Sequence, residues 1–272
     1  MMKLAVLLTV HNRKDKTVKS LSCLFSCHVP NGVSYDVFMT DDGSVDGTAE
    51  AVTEQFPEVR IIQGDGNLFW NRGMIAAWEE AERCGKYDGY LWLNDDTFVF
   101  ENMLVSMMAC SMRHPEAIIV APTCSKATGM ITYGGTINDR HYPPEGKDLK
   151  VKTLNGNIVF VPISVRERIG ILDKRFSHSL GDTEYGLRAG RKGVEVWQSD
   201  EYLGTCEKHD HIPDWCNKSV PLRKRWKALY SPLGCNPREF FICDRHNGLI
   251  PACSHYCSIH LRVLFPWLWK IS

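Results

Sequence analysis

Four short apolar runs, at residues 4–10, 33–39, 59–63 and 90–93, alternate over the first hundred residues with stretches of helical period. Apolar runs of this length bounded by polar loops read as buried strands. Between them, Val18, Leu21, Leu24 and Phe25 share one helical face, residues 49–56 form a second helix, and Met74, Ala77, Trp78 and Ala81 line a third. Such alternation admits few topologies, because parallel strands need a covering crossover helix and that crossover has a fixed hand. The pattern predicts an α/β fold that opens with a nucleotide-binding half over residues 1–100. The glycine fingerprint of a dinucleotide fold is missing from it.

Two of these strands run into paired carboxylates. Tyr90-Leu91-Trp92-Leu93 stops on Asn94-Asp95-Asp96, and residues 33–39 lead into Thr40-Asp41-Asp42-Gly43-Ser44-Val45-Asp46-Gly47-Thr48. Open α/β sheets bind ligands at the carboxyl ends of their strands. Adjacent acids in a part-buried place repel each other unless a cation neutralises them. A hard divalent ion takes oxygen ligands and completes its shell with water and substrate phosphates. Asp95 and Asp96 are therefore candidates to hold Mg²⁺ or Mn²⁺ against a diphosphate, the plainer alternative being an acidic turn. Asp41 and Asp42 are candidates to accept hydrogen bonds from a base or ribose, while Asp46 and Thr48 suit capping of the next helix.

Past residue 100 the pattern loosens. A helix over 103–113 and a strand over 118–121 precede strands at 132–136 and 158–162, which flank a Pro/Gly-rich excursion at 141–146. A short helix at 165–169, a helix over 185–192 entered through Gly181-Asp182-Thr183-Glu184, and a strand at 194–198 follow. Residues 101–220 are thus expected to add a mixed sheet that presents an acceptor, completing a catalytic domain over 1–220. Residues 221–272 form a C-terminal extension that is basic at Arg223, Lys224, Arg225 and Lys227 and ends in Leu264-Phe265-Pro266-Trp267-Leu268-Trp269-Lys270. Trp, Leu and basic residues together suit a membrane interface; a helix packed on the domain has the same composition.

Composition removes some function classes. With 32 basic and 32 acidic residues the formal net charge is zero, so no general attraction to nucleic acid is implied. Eleven cysteines make an odd, scattered set rather than a disulfide framework, and favour a reducing cytosol. Cys206-x2-His209-x-His211-x4-Cys216 has the residue types of a zinc cluster but no standard spacing. Residues 1–10 read as a strand rather than a leader, since the polar His11-Asn12-Arg13-Lys14 follows them in place of a cleavage site. No apolar run is long enough to span a bilayer.

In order and spacing, Val6-Leu7-Leu8-Thr9-Val10-His11-Asn12-Arg13, the Asp41–Thr48 segment, Asn94-Asp95-Asp96 and Gly181-Asp182-Thr183-Glu184 resemble a family-2 glycosyltransferase of the GT-A fold. The likeness is to bacterial rhamnosyl- and hexosyltransferases of polysaccharide assembly. It implies inverting transfer of a sugar from a nucleotide-diphosphate donor with help from Mn²⁺ or Mg²⁺. It puts Asp42 on the base with Thr9 beside the nucleotide, Asp96 on the metal, and Asp95 nearer the ribose or sugar. It makes Asp182 the catalytic base, which takes the acceptor hydroxyl proton while the leaving diphosphate is stabilised opposite. Relatives usually carry Glu-Asp where this chain has Gly181-Asp182, so the preceding acid is missing. Glu184 is the alternative base, and Asp182 also suits a helix N-cap.

The segment Asn67-Leu68-Phe69-Trp70-Asn71-Arg72-Gly73-Met74 resembles one that relatives place near the donor. A helix N-terminus with a cation suits a diphosphate, which nominates Asn71 and Arg72. Trp70 would stack on a sugar or base, or pack in the core. His209 is the candidate further metal ligand, with His211 as its alternative. Asn155-Gly156-Asn157 falls where relatives shape the acceptor pocket. The implied partners are a nucleotide-diphosphate sugar and a glycan or polyprenyl-linked glycan, met in the cytoplasm or at the inner face of a membrane. A sugar-1-phosphate nucleotidylyltransferase would need glycines after the first strand, where His11-Asn12-Arg13-Lys14 has none. Against a non-catalytic nucleotide-sugar or glycan-binding module stand the retained Asp96 and Asp182.

Overall fold

The computed structural model describes residues 1–208 and 212–268. Strands β1 (Met2–Val10), β2 (Val33–Asp41), β3 (Val59–Gln63) and β4 (Gly89–Leu93) are parallel, in the order β3-β2-β1-β4. Helices α1 (Lys14–Phe25), α2 (Thr48–Gln55) and α3 (Phe69–Cys84) connect them. β1 is apolar throughout its centre because both of its faces are covered. Leu4, Val6 and Leu8 pack with Leu21 and Leu24 of α1 on one side, and Ala5 and Leu7 pack with Met74 and Trp78 of α3 on the other. Side chains of a strand alternate between faces, so a doubly covered strand reads as an unbroken apolar run.

The sheet continues through β5 (Ile118–Val120), β6 (Leu149–Val151), β7 (Ile158–Pro162) and β8 (Val196–Gln198), giving the order β6-β8-β5-β7-β4-β1-β2-β3. β7 is antiparallel to both β4 and β5, and β8 is parallel to β5, so this half is mixed, as expected. Helices α4 (Met103–Arg113), α5 (Ile163–Ile169) and α6 (Gly181–Arg191) complete it. The expected strand at 132–136 is broken at Gly134 into Ile131–Tyr133 and Gly135–Ile137, which join different small sheets. Gly134 has φ +153°, and a Cβ there would lie 2.8 Å from Gln198 Oε1, so only glycine makes this corner.

Two helices begin earlier than their apolar period suggests. α3 starts at Phe69 and α6 at Gly181. Their first turns are polar or aromatic and are held by contacts from distant segments, which leave no period in the sequence. Phe69 (φ +56°) and Leu180 (φ +69°) enter these helices in left-handed backbone conformations, as Asn12 (φ +50°) does just ahead of α1. Non-glycine residues persist in this region only where their surroundings hold them there, and Phe69 and Leu180 border the site described below.

Helices α7 (Leu222–Leu229), α8 (Pro237–Asp244) and α9 (Leu249–Leu264) share a small core of Leu229, Cys235, Ile259 and Val263. The Asn236 side chain caps α8 by accepting from the Arg238 N–H, with Pro237 in the first turn. This extension is fastened to the catalytic half by buried polar contacts. The Ser177 hydroxyl donates to Glu239 Oε1 at 2.8 Å, and His246 Nε2 lies 3.1 Å from Glu184 Oε1. Among the described residues no helix is long and apolar enough to cross a membrane.

Candidate active site

Two adjoining cavities open at the carboxyl ends of β1, β2 and β4. One, of about 360 Å³, is lined by Thr9, Asp42, Gly66 and Phe69 and by Leu233 from the extension. The other, of about 440 Å³, is lined by Asn94, Asp96, Asn155, Gly156, Asp182 and Cys206. Arg13, Trp70, Asp95 and His178 border both. Both volumes lie in the range of small-molecule sites. A larger hollow of about 970 Å³ runs along α1 past Lys14 and Lys19 but touches neither the acid pair nor Asp182.

Asp95 and Asp96 follow β4, and one guanidinium nitrogen serves both. Arg13 Nη1 lies 3.0 Å from Asp95 Oδ1 and 2.9 Å from Asp96 Oδ2. Burial pushes the Asp95 carboxyl up to about 6; Arg13 opposes the rise and the neighbouring Asp96 charge adds to it. Cys206 Sγ reaches Asp96 Oδ1 at 3.7 Å, and burial pushes that thiol up to about 12, so it is protonated and donates. The site's cation is therefore Arg13, which sequence reasoning passed over, and not Arg72. On a helix begun at Phe69, Arg72 faces solvent while Asn71 turns inward, and Arg72 lines neither cavity.

Two carboxylates that leave further positions to water and phosphate are an ordinary setting for Mg²⁺ or Mn²⁺ beside a nucleotide. Asp95 and Asp96 fit that donor chemistry. His209 and His211 lie outside the described residues. Elsewhere, Cys110, His114 and Asp148 are grouped closely enough to share an ion. There, however, Arg113 donates to both Asp148 oxygens at 2.7 Å, which makes the group a closed ion-pair network.

Asp42 is buried and accepts three backbone N–H groups, from Gly66 (2.9 Å) and Leu68 (3.2 Å) on Oδ1 and from Phe69 (2.8 Å) on Oδ2. It anchors the α3 entrance and still forms cavity wall. Asp41 lines neither cavity; its Oδ1 accepts the Ser44 N–H at 2.9 Å and shapes the turn. Asp46 accepts the N–H groups of both Lys14 and Thr48, and so caps two helices at once. Thr9 lines the smaller cavity with Asp42.

Asn71 also lines neither cavity. Wholly buried, it donates through Nδ2 to the Asp173 and Phe176 carbonyls, both at 2.9 Å, and ties α3 to the loop before Asp182. The Trp70 ring packs edge-on to Trp92 and also forms wall to both cavities, while Nε1 donates to Asn94 Oδ1 at 2.7 Å.

Asp182 lies in the first turn of α6, with Leu180 at the cap position. Its Oδ2 accepts the Gly156 N–H at 2.9 Å and its Oδ1 the Thr183 N–H at 2.7 Å. Burial holds its carboxyl above the usual range, against those hydrogen bonds. Gly156 has a second constraint, since a Cβ there would lie 2.4 Å from the Trp70 ring. Glu184, the alternative base, is buried and engaged by Arg188 (3.0 Å) and His246 (3.1 Å). It is a structural ion pair, and Asp182 is the carboxylate that faces the cavity. His178 and Leu233 are isolated residues in loops, with no motif to mark them.

Residues 5–166 match the family model described as glycosyl transferase family 2. The chain belongs to that family. It is a nucleotide-sugar-dependent glycosyltransferase. This glycosyltransferase is 23% identical over 245 residues to N-acetylglucosaminyl-diphospho-decaprenol L-rhamnosyltransferase of Mycobacterium tuberculosis, which covers 78% of this chain and 76% of that one. Among solved structures it is similar to S. aureus TarS, with TM-score 0.61 and 13% identity over 97% of this chain and 43% of TarS. It is also similar to TarS 1–349 in complex with UDP-GlcNAc, with TM-score 0.59 and 14% identity over 95% of this chain and 81% of that one. These likenesses bear on the fold, which is the GT-A α/β fold expected from sequence.

Proposed function

We propose that this glycosyltransferase inverts configuration as it moves a sugar from a nucleoside-diphosphate donor to a hydroxyl of a lipid-linked glycan. One observation carries the reading: Asp182, lifted above the carboxylate range, shares a cavity with the Arg13, Asp95 and Asp96 cluster. The nucleoside would occupy the Thr9 and Asp42 cavity, with its diphosphate directed toward Arg13. Asp182 removes the acceptor hydroxyl proton, and that oxygen attacks the anomeric carbon as the bond to the diphosphate breaks. The electron pair leaves with the diphosphate, beside the Arg13 guanidinium. A single displacement inverts the centre. Mn²⁺ or Mg²⁺, held by Asp96 with Asp95 alongside, would act as a Lewis acid toward the diphosphate. The lipid-linked acceptor is suggested by the decaprenol-linked substrate in the mycobacterial relative's name.

Calorimetric titration of UDP, then dTDP, with Mn²⁺ and again with EDTA, tests this. Metal-dependent binding of one of them is expected, and Asp96→Ala should lose the metal dependence. Equal affinity in parent and variant would remove the metal assignment, and no binding of either nucleotide would remove the donor site.

The extension supplies a surface for the inner face of a membrane. Leu222, Trp226, Leu261, Leu264, Phe265 and Trp267 are exposed, and Arg223, Lys224 and Lys227 flank Trp226. Aromatic and aliphatic side chains beside lysine and arginine favour an anionic lipid interface. The chain should sediment with phosphatidylglycerol vesicles at low salt, and a Trp226→Ala, Trp267→Ala variant should stay largely in the supernatant. Equal sedimentation of the two would sink this surface.

A further inference from the structure

Of the residues that border both cavities, Arg13 is paired with Asp95 and Asp96, and Trp70 donates to Asn94. His178 is different. Its Nδ1 is sealed from solvent and has no hydrogen-bond partner among the described residues. Its ring contact is edge-on to Phe69, with centroids 6.4 Å apart. Buried polar atoms in folded proteins are nearly always paired, so an exception calls for a reason.

The ring is nevertheless held in place. The Asn71 N–H donates to the Ser177 carbonyl at 3.1 Å, and the Ser177 hydroxyl donates to Glu239 at 2.8 Å. Leu180, in its left-handed conformation, fixes the chain on the other side. A segment clamped by α3 and by the C-terminal extension thus presents an imidazole whose Nδ1 no described residue engages. Burial, with Arg13 adding to it, holds His178 below the ordinary histidine range, so the ring is neutral at pH 7. Of the two neutral tautomers, the one protonated on Nε2 seals only a lone pair at Nδ1. Under-satisfied acceptors are tolerated better than orphaned N–H groups. Nε2–H is then the group left to donate.

We infer that His178 is a donor-binding residue that hydrogen-bonds the diphosphate where it passes from the Asp42 cavity into the Asp182 cavity. The inference rests on the donor site proposed above. It chooses the diphosphate because His178 stands at the junction of the two cavities, beside Arg13. It also gives the extension a part in the site, since Glu239 holds the residue next to His178.

The test compares a nucleoside diphosphate with its monophosphate, UDP with UMP or dTDP with dTMP, by calorimetry in the presence of Mn²⁺. His178→Ala should weaken the diphosphate about tenfold or more, as expected for loss of a hydrogen bond to a charged group. The monophosphate should change less than about twofold, and His178→Gln, which returns an N–H near the Nε2 position, should recover most of the loss. Equal weakening of both nucleotides would mean a merely structural residue, and no weakening of either would end the proposal. If His178→Ala does not fold, ¹⁵N-histidine spectra of the unaltered chain decide: the His178 Nε2 resonance must move with the diphosphate and not with the monophosphate. Failure of the unaltered chain to bind any nucleotide would strike the donor site itself, a different result from normal binding that ignores His178.

Discussion

Exchanging Asp182 for Asn lowers kcat by roughly 10²- to 10⁴-fold, the usual contribution of a positioned general base, while nucleotide affinity stays within about twofold. The amide is isosteric, so the first turn of α6 persists. It cannot accept both backbone N–H groups that the carboxylate accepts from Gly156 and Thr183. One of those bonds is lost, at a stability cost of about 1 kcal/mol. The proton acceptor is lost altogether. Turnover within tenfold of the parent would remove Asp182 from the chemistry. Glu184→Gln should behave in the opposite way, hurting stability more than rate, because Glu184 is committed to Arg188 and His246.

The pH dependence has a definite sign. As the proposed base, Asp182 works only when ionised, and burial raises its pKa, so kcat/KM should fall on the acid side at a higher pH than an ordinary aspartate would give. Asp95, lifted from 3.8 to about 6, shapes stability in the other direction. An acid with its folded pKa raised binds its proton more tightly in the folded chain. Its contribution to stability is full below its unfolded value and is lost as pH rises through about 6. Asp95 therefore makes the folded chain less stable as pH rises from about 4 to about 6. Thermal melts and rate profiles on the same buffers would separate the two. A rate profile flat down to pH 4 would contradict the assignment of Asp182.

The parallel half of the sheet was legible because its strands are buried on both faces and its acids follow them directly in sequence. Asp95, Asp96 and Asp182 could be found as motifs, since the residue type and its place after a strand or before a helix are local facts. Asn71 and Arg72, both expected beside the donor, line neither cavity for a local reason that only the structure supplies. α3 begins two residues before Asn71, which turns Asn71 into the core and Arg72 out to solvent. Arg13 was visible within a motif, but not its bridge to two acids more than eighty residues away. His178, Leu233 and Glu239 owe their places to the docking of the extension on the catalytic loop. No period or spacing in a single sequence encodes such a contact.

The resemblance implies an acid where this chain has Gly181, and the structure shows that no side chain fits there. A Cβ at residue 181 would lie 1.8 Å from Asn71 Oδ1 and 2.6 Å from its Cγ. Asn71 occupies the volume that a side chain before Asp182 would need, and its own Oδ1 is sealed there with no partner among the described residues. Replacing a helical glycine by alanine ordinarily stabilises by about 0.5–1 kcal/mol. Here Gly181→Ala should instead destabilise, by about 1–3 kcal/mol, the range of overpacked cores. It should also lower kcat by as much as about 10²-fold, because the residue displaced next is Asp182 and misplacement by an ångström costs that much. Asn71→Ala alone loses the hydrogen bonds to Asp173 and Phe176 but opens the space. In that background Gly181→Ala should cost far less, so denaturation midpoints and kcat for the four proteins should show strong coupling between the two positions. Independent, additive effects would mean that Asn71 is not what excludes the missing acid. Coupling would mean that the Asn71 amide, which fastens the loop before Asp182 to α3, is what holds residue 181 to glycine.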